Sequence, residues 1–284
     1  MQSNNISEKY INQHIGKLVI NEDVLYKITH PAEARSWQWY RNLLITNKKI
    51  QLGHTFIKNH MEALNFAENT YHVPKSVIVS ILGIESEYGR FKGNYSVAQA
   101  IATIGFGYER RSAFFLDELK TLLELSTSGK IDIDTLNGSY AGAFGMGQFM
   151  PDSYRDYAVG YHKETADLIN SFDDNIVSVA NYLHLKGQWN NEESAREIHS
   201  IGPAPKGILK KDAQSAWYAS ESDTFNEFMH NQDPAPHATG LLVMRESKDK
   251  ISYWLTFHNF NAIKSYNNSD YYALVVSLLS KEFA

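Results

Sequence analysis

Residues 78–90, IVSILGIESEYGR, constrain the fold more than any other stretch, because they form an apolar helical run that ends by burying an acid. At roughly 100° per residue, Ile78, Ile81, Leu82 and Glu85 share one face, while Ser76, Ser80, Gly83 and Glu87 share the opposite one. An acid on an apolar stripe stays inside only when something compensates it. Glu85 also falls in the last helical turn, where the dipole disfavours negative charge, with Gly89 as the expected C-cap. Burial and dipole both favour the protonated carboxyl, which is the form a general acid needs. A helix-end Glu paired with a nearby Arg is the competing reading of the same residues.

Residues 1–72 read as helical, with amphipathic pieces around 8–17 and 53–71 on either side of an irregular aromatic patch at 36–41. Pro74 opens the central helix at its N1 position. Further helices are predicted over 95–104, 108–125, 152–159 and 173–186, and Gly129 follows the end of the second of these. Adjacent Arg110 and Arg111 early in a helix work against its dipole, so they call for an anionic or carbonyl-bearing partner. From about 190 to 254 the helical period fades and Gly, Pro and Ser rise, which marks a smaller inserted, strand-containing module. The tail 268–284 is again a helix, capped near Ser269 or Asp270.

Residues 137–151, NGSYAGAFGMGQFMP, interleave four glycines with aromatics and Met, which suits a loop whose backbone approaches something closely. A phosphate cradle is excluded, because no Gly-Lys-Ser/Thr follows and the Rossmann spacing is absent. None of the eleven histidines forms a His-Glu-x-x-His set, and no Gly-x-Ser-x-Gly elbow is present, which speaks against zinc hydrolysis and a serine nucleophile. The net charge of −5 speaks against nucleic acid as a partner. No apolar run is long enough to span a bilayer, and the first ten residues lack a signal-peptide core or lipidation site.

Four blocks taken together resemble the membrane-bound lytic murein transglycosylase B family: IESEYGR at 84–90, YERR at 108–111, GSYAGAFGMGQFMPDSY at 138–154 and VANY at 179–182. The tail YNNSDYY at 266–272 is similar to that family's closing motif. The resemblance implies a mainly α (α+β) fold: a lysozyme-like helical core at 73–189, an N-terminal helical part at 1–72, a small inserted β module at 190–254, and a C-terminal segment at 255–284 returning to the core. It implies cleavage of peptidoglycan between N-acetylmuramic acid and N-acetylglucosamine, leaving a 1,6-anhydro end. Glu85 matches the family's catalytic acid. Arg110, Arg111, Ser139, Gln148, Tyr182, Tyr266, Asn267 and Tyr272 match cleft positions, and Tyr40 matches another through Ser-Trp-x-x-Tyr-Arg.

Family members can carry a calcium loop of EF-hand type, but residues 160–171 here, GYHKETADLINS, lack the Asp-x-Asp pattern, so no metal or other cofactor is expected. Glu87 points about 200° away from Glu85 and is expected to be structural. The expected partner is the glycan strand, acted on by a monomer in the periplasm or cell envelope. Two alternatives stay open on these residues: a hydrolytic muramidase on the same fold, and a non-catalytic peptidoglycan-binding protein.

Overall fold

In the computed structural model of the chain, residues 6–30, 35–198, 205–230 and 232–284 are described. The polar start at 1–5, and 199–204 and 231 of the inserted module, lie outside them. Helices α1 (Glu8–His14), α2 (Glu22–Thr29), α3 (Trp37–Leu44), α4 (Asn47–Asn59) and α5 (Met61–Tyr71) lead into α6 (Lys75–Ser86). A short strand β1 (Tyr95–Ser96) precedes α7 (Val97–Gly107) and α8 (Ser112–Thr127). Strand β2 (Asn137–Gly138) pairs antiparallel with β1 and begins the glycine-rich loop, which runs into α9 (Pro151–Tyr157) and α10 (Phe172–Leu185). Then come β3 (Ala195–Ile198), β4 (Ser215–Ala219), α11 (Asp223–Met229), β5 (Gly240–Ser247) and β6 (Lys250–Thr256), followed by α12 (His258–Tyr266) and α13 (Asp270–Lys281). The fold is mainly α, a lysozyme-like helical body with small antiparallel sheets.

Helix α6 is the axis of that body. Val77 to Gly83 are all buried, so its expected polar face does not exist. Ser80 tolerates burial because its hydroxyl donates to Ser76 O at 2.7 Å. Helices α4, α5, α10 and α13 pack around α6. Pro74 proves to be the N-cap, one residue before the expected N1 place.

The aromatic patch at 36–41 is also helical, contrary to the irregular reading. The Ser36 hydroxyl accepts from Trp39 N and caps α3, while Trp37 and Tyr40, on one helical face, both rest against Tyr271 with centroids 5.5 and 5.6 Å apart. The expected helix at 53–71 is two helices meeting at His60.

The four-stranded sheet runs in the order β3-β6-β5-β4, antiparallel throughout. Its period-2 alternation divides strand β5 between two cores. Leu242 and Met244 join the main cluster, whereas Leu241 and Val243 join a smaller one with Phe225, Phe228 and Leu255. A four-part polar chain fastens the sheet to α3: the Trp37 indole donates to Glu246 Oε1 at 3.0 Å, Ser252 donates to the same oxygen, and Trp254 donates to Ser252.

Candidate active site

Helix α6 stops at Ser86, and the next three residues, Glu87, Tyr88 and Gly89, all have left-handed φ of 48°, 60° and 83°. Two of them are not glycine, so the reversal costs on the order of 1 kcal/mol or more at each. Packing offsets that cost. The Tyr88 ring is buried, its hydroxyl donates to Lys49 O at 3.1 Å, and it stacks on Phe56. Gly83 makes room for that ring, since a Cβ there would lie 2.6 Å from the Tyr88 hydroxyl. The cap is therefore Glu87 and not Gly89. The helix-end ion pair also belongs to Glu87, whose carboxylate lies 3.3 Å from Lys48 Nζ and 3.4 Å from Arg90 Nε.

Glu85 is freed from that pairing. It is half-buried, and its Oε1 accepts a hydrogen bond from the Tyr272 hydroxyl at 2.6 Å. Burial pushes its carboxyl up to about 7, and the Tyr272 hydrogen bond and the Lys49 ammonium pull only part of the way back. Tyr272 is buried in the first turn of α13, whose cap, Ser269, accepts from the Tyr272 amide. Burial and the Glu85 charge raise the Tyr272 and Tyr266 hydroxyls well above the usual tyrosine range, so both remain neutral donors.

Tyr266 donates to Gly147 O at 2.5 Å and lies 4.8 Å, centroid to centroid, from Tyr182. Both line a small cavity of about 50 Å³ with Gln148, Phe149, Met150 and Ser153. Tyr40 approaches from α3, resting against Tyr271 beside Tyr272. The structure thus gathers Glu85, Tyr272, Tyr266, Tyr182, Gln148 and Tyr40 into one neighbourhood. A larger cavity of about 260 Å³, lined by Arg196, Met229, Asp233 and Leu255, belongs to the inserted module and holds no buried acid.

The glycine-rich loop is two successive turns. Ser139 closes the first: its amide donates to Ala143 O at 2.7 Å and its hydroxyl accepts from Ala143 N at 3.1 Å. The hydroxyl proton of Ser139 stays available. Phe144 and Phe149 exchange both backbone bonds and close the second turn. What the loop approaches so closely is the protein itself. A Cβ on Gly145, which has φ 76°, would meet Leu168 O at 2.8 Å, and one on Gly147 would meet the Tyr266 hydroxyl at 2.9 Å. Gln148 is itself left-handed at φ 54°, and its side-chain amide donates to Gly145 O and Lys92 O, so that donor is committed to the loop.

Arg110 and Arg111 lie in a 3-10 turn at Glu109–Arg111, before α8 rather than inside it. Both are exposed, and Arg111 rests over the rings of Phe114 and Phe115 at 5.3 and 5.0 Å. Among the described contacts neither arginine touches Glu85. Asn267 is the C-cap of α12, half-buried, with its carbonyl accepting from Ser269 N.

The loop at 158–171 does not fit a calcium ion. Among the described residues no three His, Asp or Glu side chains gather as metal ligands. Buried Asp174 accepts from Tyr161 N at 3.1 Å and Asp167 N at 2.6 Å, and its remaining partner is the Lys163 ammonium at 2.8 Å. A cation is already covalently attached to the loop.

Two residues were missed at the level of sequence. Lys49, buried on α4, feels the charges of Glu85 and Glu87, and burial lowers its pKa. Asn175 joins the glycine-rich loop to α10 through Met146 N and Gly147 N. Only a polar residue placed among apolar positions hinted at either. A second buried acid, Glu118, is pushed up to about 8 by burial, but its Oε2 accepts the Asp152 amide at the start of α9, which makes it a fastening between helices.

The transglycosylase SLT domain family matches residues 1–281. The chain is 34% identical to membrane-bound lytic murein transglycosylase B of Escherichia coli K12 over 252 residues, 88% of this chain and 68% of that one. Escherichia coli lytic transglycosylase SLT35 in complex with bulgecin A superposes with a TM-score of 0.84 at 30% identity, covering 98% of this chain and 88% of that one. The same protein in complex with calcium gives 0.83 at 30% identity and the same coverage. Soluble lytic transglycosylase SltB1 from Pseudomonas aeruginosa gives 0.84 at 31% identity, covering 98% and 93%. With the whole helical body and nearly the whole length matched, the chain belongs to the transglycosylase SLT family of lytic transglycosylases.

Proposed function

We infer that the chain is a peptidoglycan lytic transglycosylase and that Glu85 alone supplies its acid and its base. The observation that carries the reading is a half-buried carboxyl, raised to about 7, held by a buried tyrosine that cannot ionise at working pH. Ordinary glycosidases set two carboxylates across the scissile bond. Here the nearest acid in sequence, Glu87, is engaged by Lys48 and Arg90.

Protonated Glu85 donates to the glycosidic oxygen as the C1–O bond breaks, and the substrate's N-acetyl carbonyl steadies the oxocarbenium-like centre. Ionised Glu85 then takes the proton of the substrate's 6-hydroxyl while that oxygen bonds to C1, closing the 1,6-anhydro ring. Tyr272, donating to Oε1, steadies the carboxylate between the two transfers and leaves Oε2 to carry the proton. Tyr182, Tyr266 and Tyr40 offer rings and hydroxyl oxygens to sugars, the protons of Tyr182 and Tyr266 being held by Ser265 O and Gly147 O, and Ser139 offers its hydroxyl proton to an acetamido group. Exposed Arg110 and Arg111, and half-buried Asn267, would take carboxylates or carbonyls of the polymer's peptide stems. Residues 73–189 with the tail 255–284 form the catalytic body, and 190–254 the inserted module.

The polymer places the enzyme in the cell envelope, and we assign it to the periplasm. Among the described residues no helix is long and apolar enough to cross a membrane. Digesting purified peptidoglycan with wild type, Glu85→Gln and Glu87→Gln tests the mechanism. Mass spectrometry is expected to show anhydro ends, lighter by one water than hydrolysed ends, from wild type and Glu87→Gln and no product from Glu85→Gln. Reducing ends from wild type would establish a muramidase, and substantial cleavage by Glu85→Gln would remove Glu85 from the reaction.

A further inference from the structure

We infer that Asn175, which no part of the mechanism above uses, is a positioning residue that sets the cleft-side turn of the glycine-rich loop through the Met146 and Gly147 amides. Its side chain is 1% exposed and uses every hydrogen-bonding capacity it has. Oδ1 accepts from Met146 N at 2.9 Å and Gly147 N at 3.1 Å, while Nδ2 donates to Leu168 O at 2.9 Å and Ser171 O at 2.7 Å. Two donors on one end and two acceptors on the other fix the orientation of the amide, since a flipped group would face like against like at all four contacts.

The consequence lies at the next atom along. Gly147, whose amide Asn175 holds, presents its carbonyl to the Tyr266 hydroxyl at 2.5 Å. Tyr266 in turn lines the small cavity beside Glu85's tyrosine cluster. The neighbouring turn residue Gln148 is left-handed, a conformation that persists only where its surroundings impose it. Asn175 therefore imposes a strained turn on the loop and aims one carbonyl at one tyrosine. The other end of the same amide is anchored in the 158–171 loop, so the brace is rigid on both sides.

This inference rests on the glycine-rich loop being a wall of the glycan cleft, and its test separates it from the assignment of Glu85. In the wild-type enzyme, amide hydrogen exchange followed by NMR is expected to show Met146 and Gly147 exchanging as slowly as the buried amides of α10; fast exchange at both would overturn the inference whether or not any variant folds. Asn175→Ala, assayed on soluble uncrosslinked glycan well below its own melting temperature, is expected to lose about tenfold or more in kcat/KM. Asn175→Asp keeps the oxygen that accepts from Met146 N and Gly147 N but turns its second carboxyl oxygen towards Leu168 O and Ser171 O in a buried place, so it is expected to melt lower yet stay within about threefold of wild type. Lys163→Met, which loosens the same loop without touching Met146 or Gly147, serves as the stability control and is expected to keep kcat/KM within about twofold. Wild-type kcat/KM in Asn175→Ala, or losses in all three variants that simply follow their melting temperatures, would reduce Asn175 to a structural residue. Neither result would bear on whether Glu85→Gln is inactive.

Discussion

Glu85 is held in a state that opposes folding, and the sign of that effect can be measured. Its folded pKa of about 7 lies above its ordinary value of 4.5, so between those two pH values the folded state holds a proton that the unfolded chain has released. Stability from this group is thus intact at low pH and declines as pH rises through that window, by at most about 2–3 kcal/mol given its partial solvent access. Glu85→Gln abolishes the decline. Thermal melting should show Glu85→Gln more stable than wild type at pH 8, with the gap shrinking towards pH 4.5. A gap independent of pH would mean that the carboxyl does not titrate in that window. Wild-type cleavage should fall above pH 7 as the donor form is lost. The buried acid was legible in the sequence because Glu85 interrupts an apolar period. Its partner Tyr272, 187 residues away, was legible only through the family's closing motif, because a tyrosine among apolar helix positions looks like core.

Elements with a strong helical period were read to within a few residues, as α7, α8, α10 and α13 show. Those shaped by tertiary contact were not. Helix α3 looked irregular because its aromatics are distributed for contact with Tyr271 and Glu246 rather than for a stripe. The turn after Ser86 was assigned to Gly89 because glycine is the usual left-handed residue, whereas packing of the Tyr88 ring forces two non-glycines into that region. The loop at 158–171 could be read for what it lacks, an alternation of oxygen ligands, but not for what replaces them, since Lys163 meets Asp174 only once the loop has folded. Lys163→Met should lower the melting temperature by roughly 2–4 °C, corresponding to about 1–2 kcal/mol for a partly exposed lysine on a buried carboxylate. Adding calcium or EGTA to the wild type should not move it; a calcium-dependent rise in calorimetry would show that the loop does take a metal.

At the scale of the molecule, the inserted module is not a separate body. One face of its sheet contributes Leu242, Met244 and Trp254 to the main core, and the other faces Phe225 and Phe228. Unfolding the module would therefore open the main core, so calorimetry of the wild type should give one transition with matching calorimetric and van 't Hoff enthalpies. Two resolved transitions would show that the module melts alone. Glu246, which takes the Trp37 indole and the Ser252 hydroxyl on one oxygen and lies 3.8 Å from Arg41, is the polar pin of that junction. Such joint ownership restricts how this architecture can diversify. A recombination that exchanged the sheet as a cassette would carry Glu246 away with it and leave a greasy scar around Trp37 with a stranded indole N–H, so heritable change in the module has to proceed by point replacement on its outer face, with the inner face drifting only in step with α3.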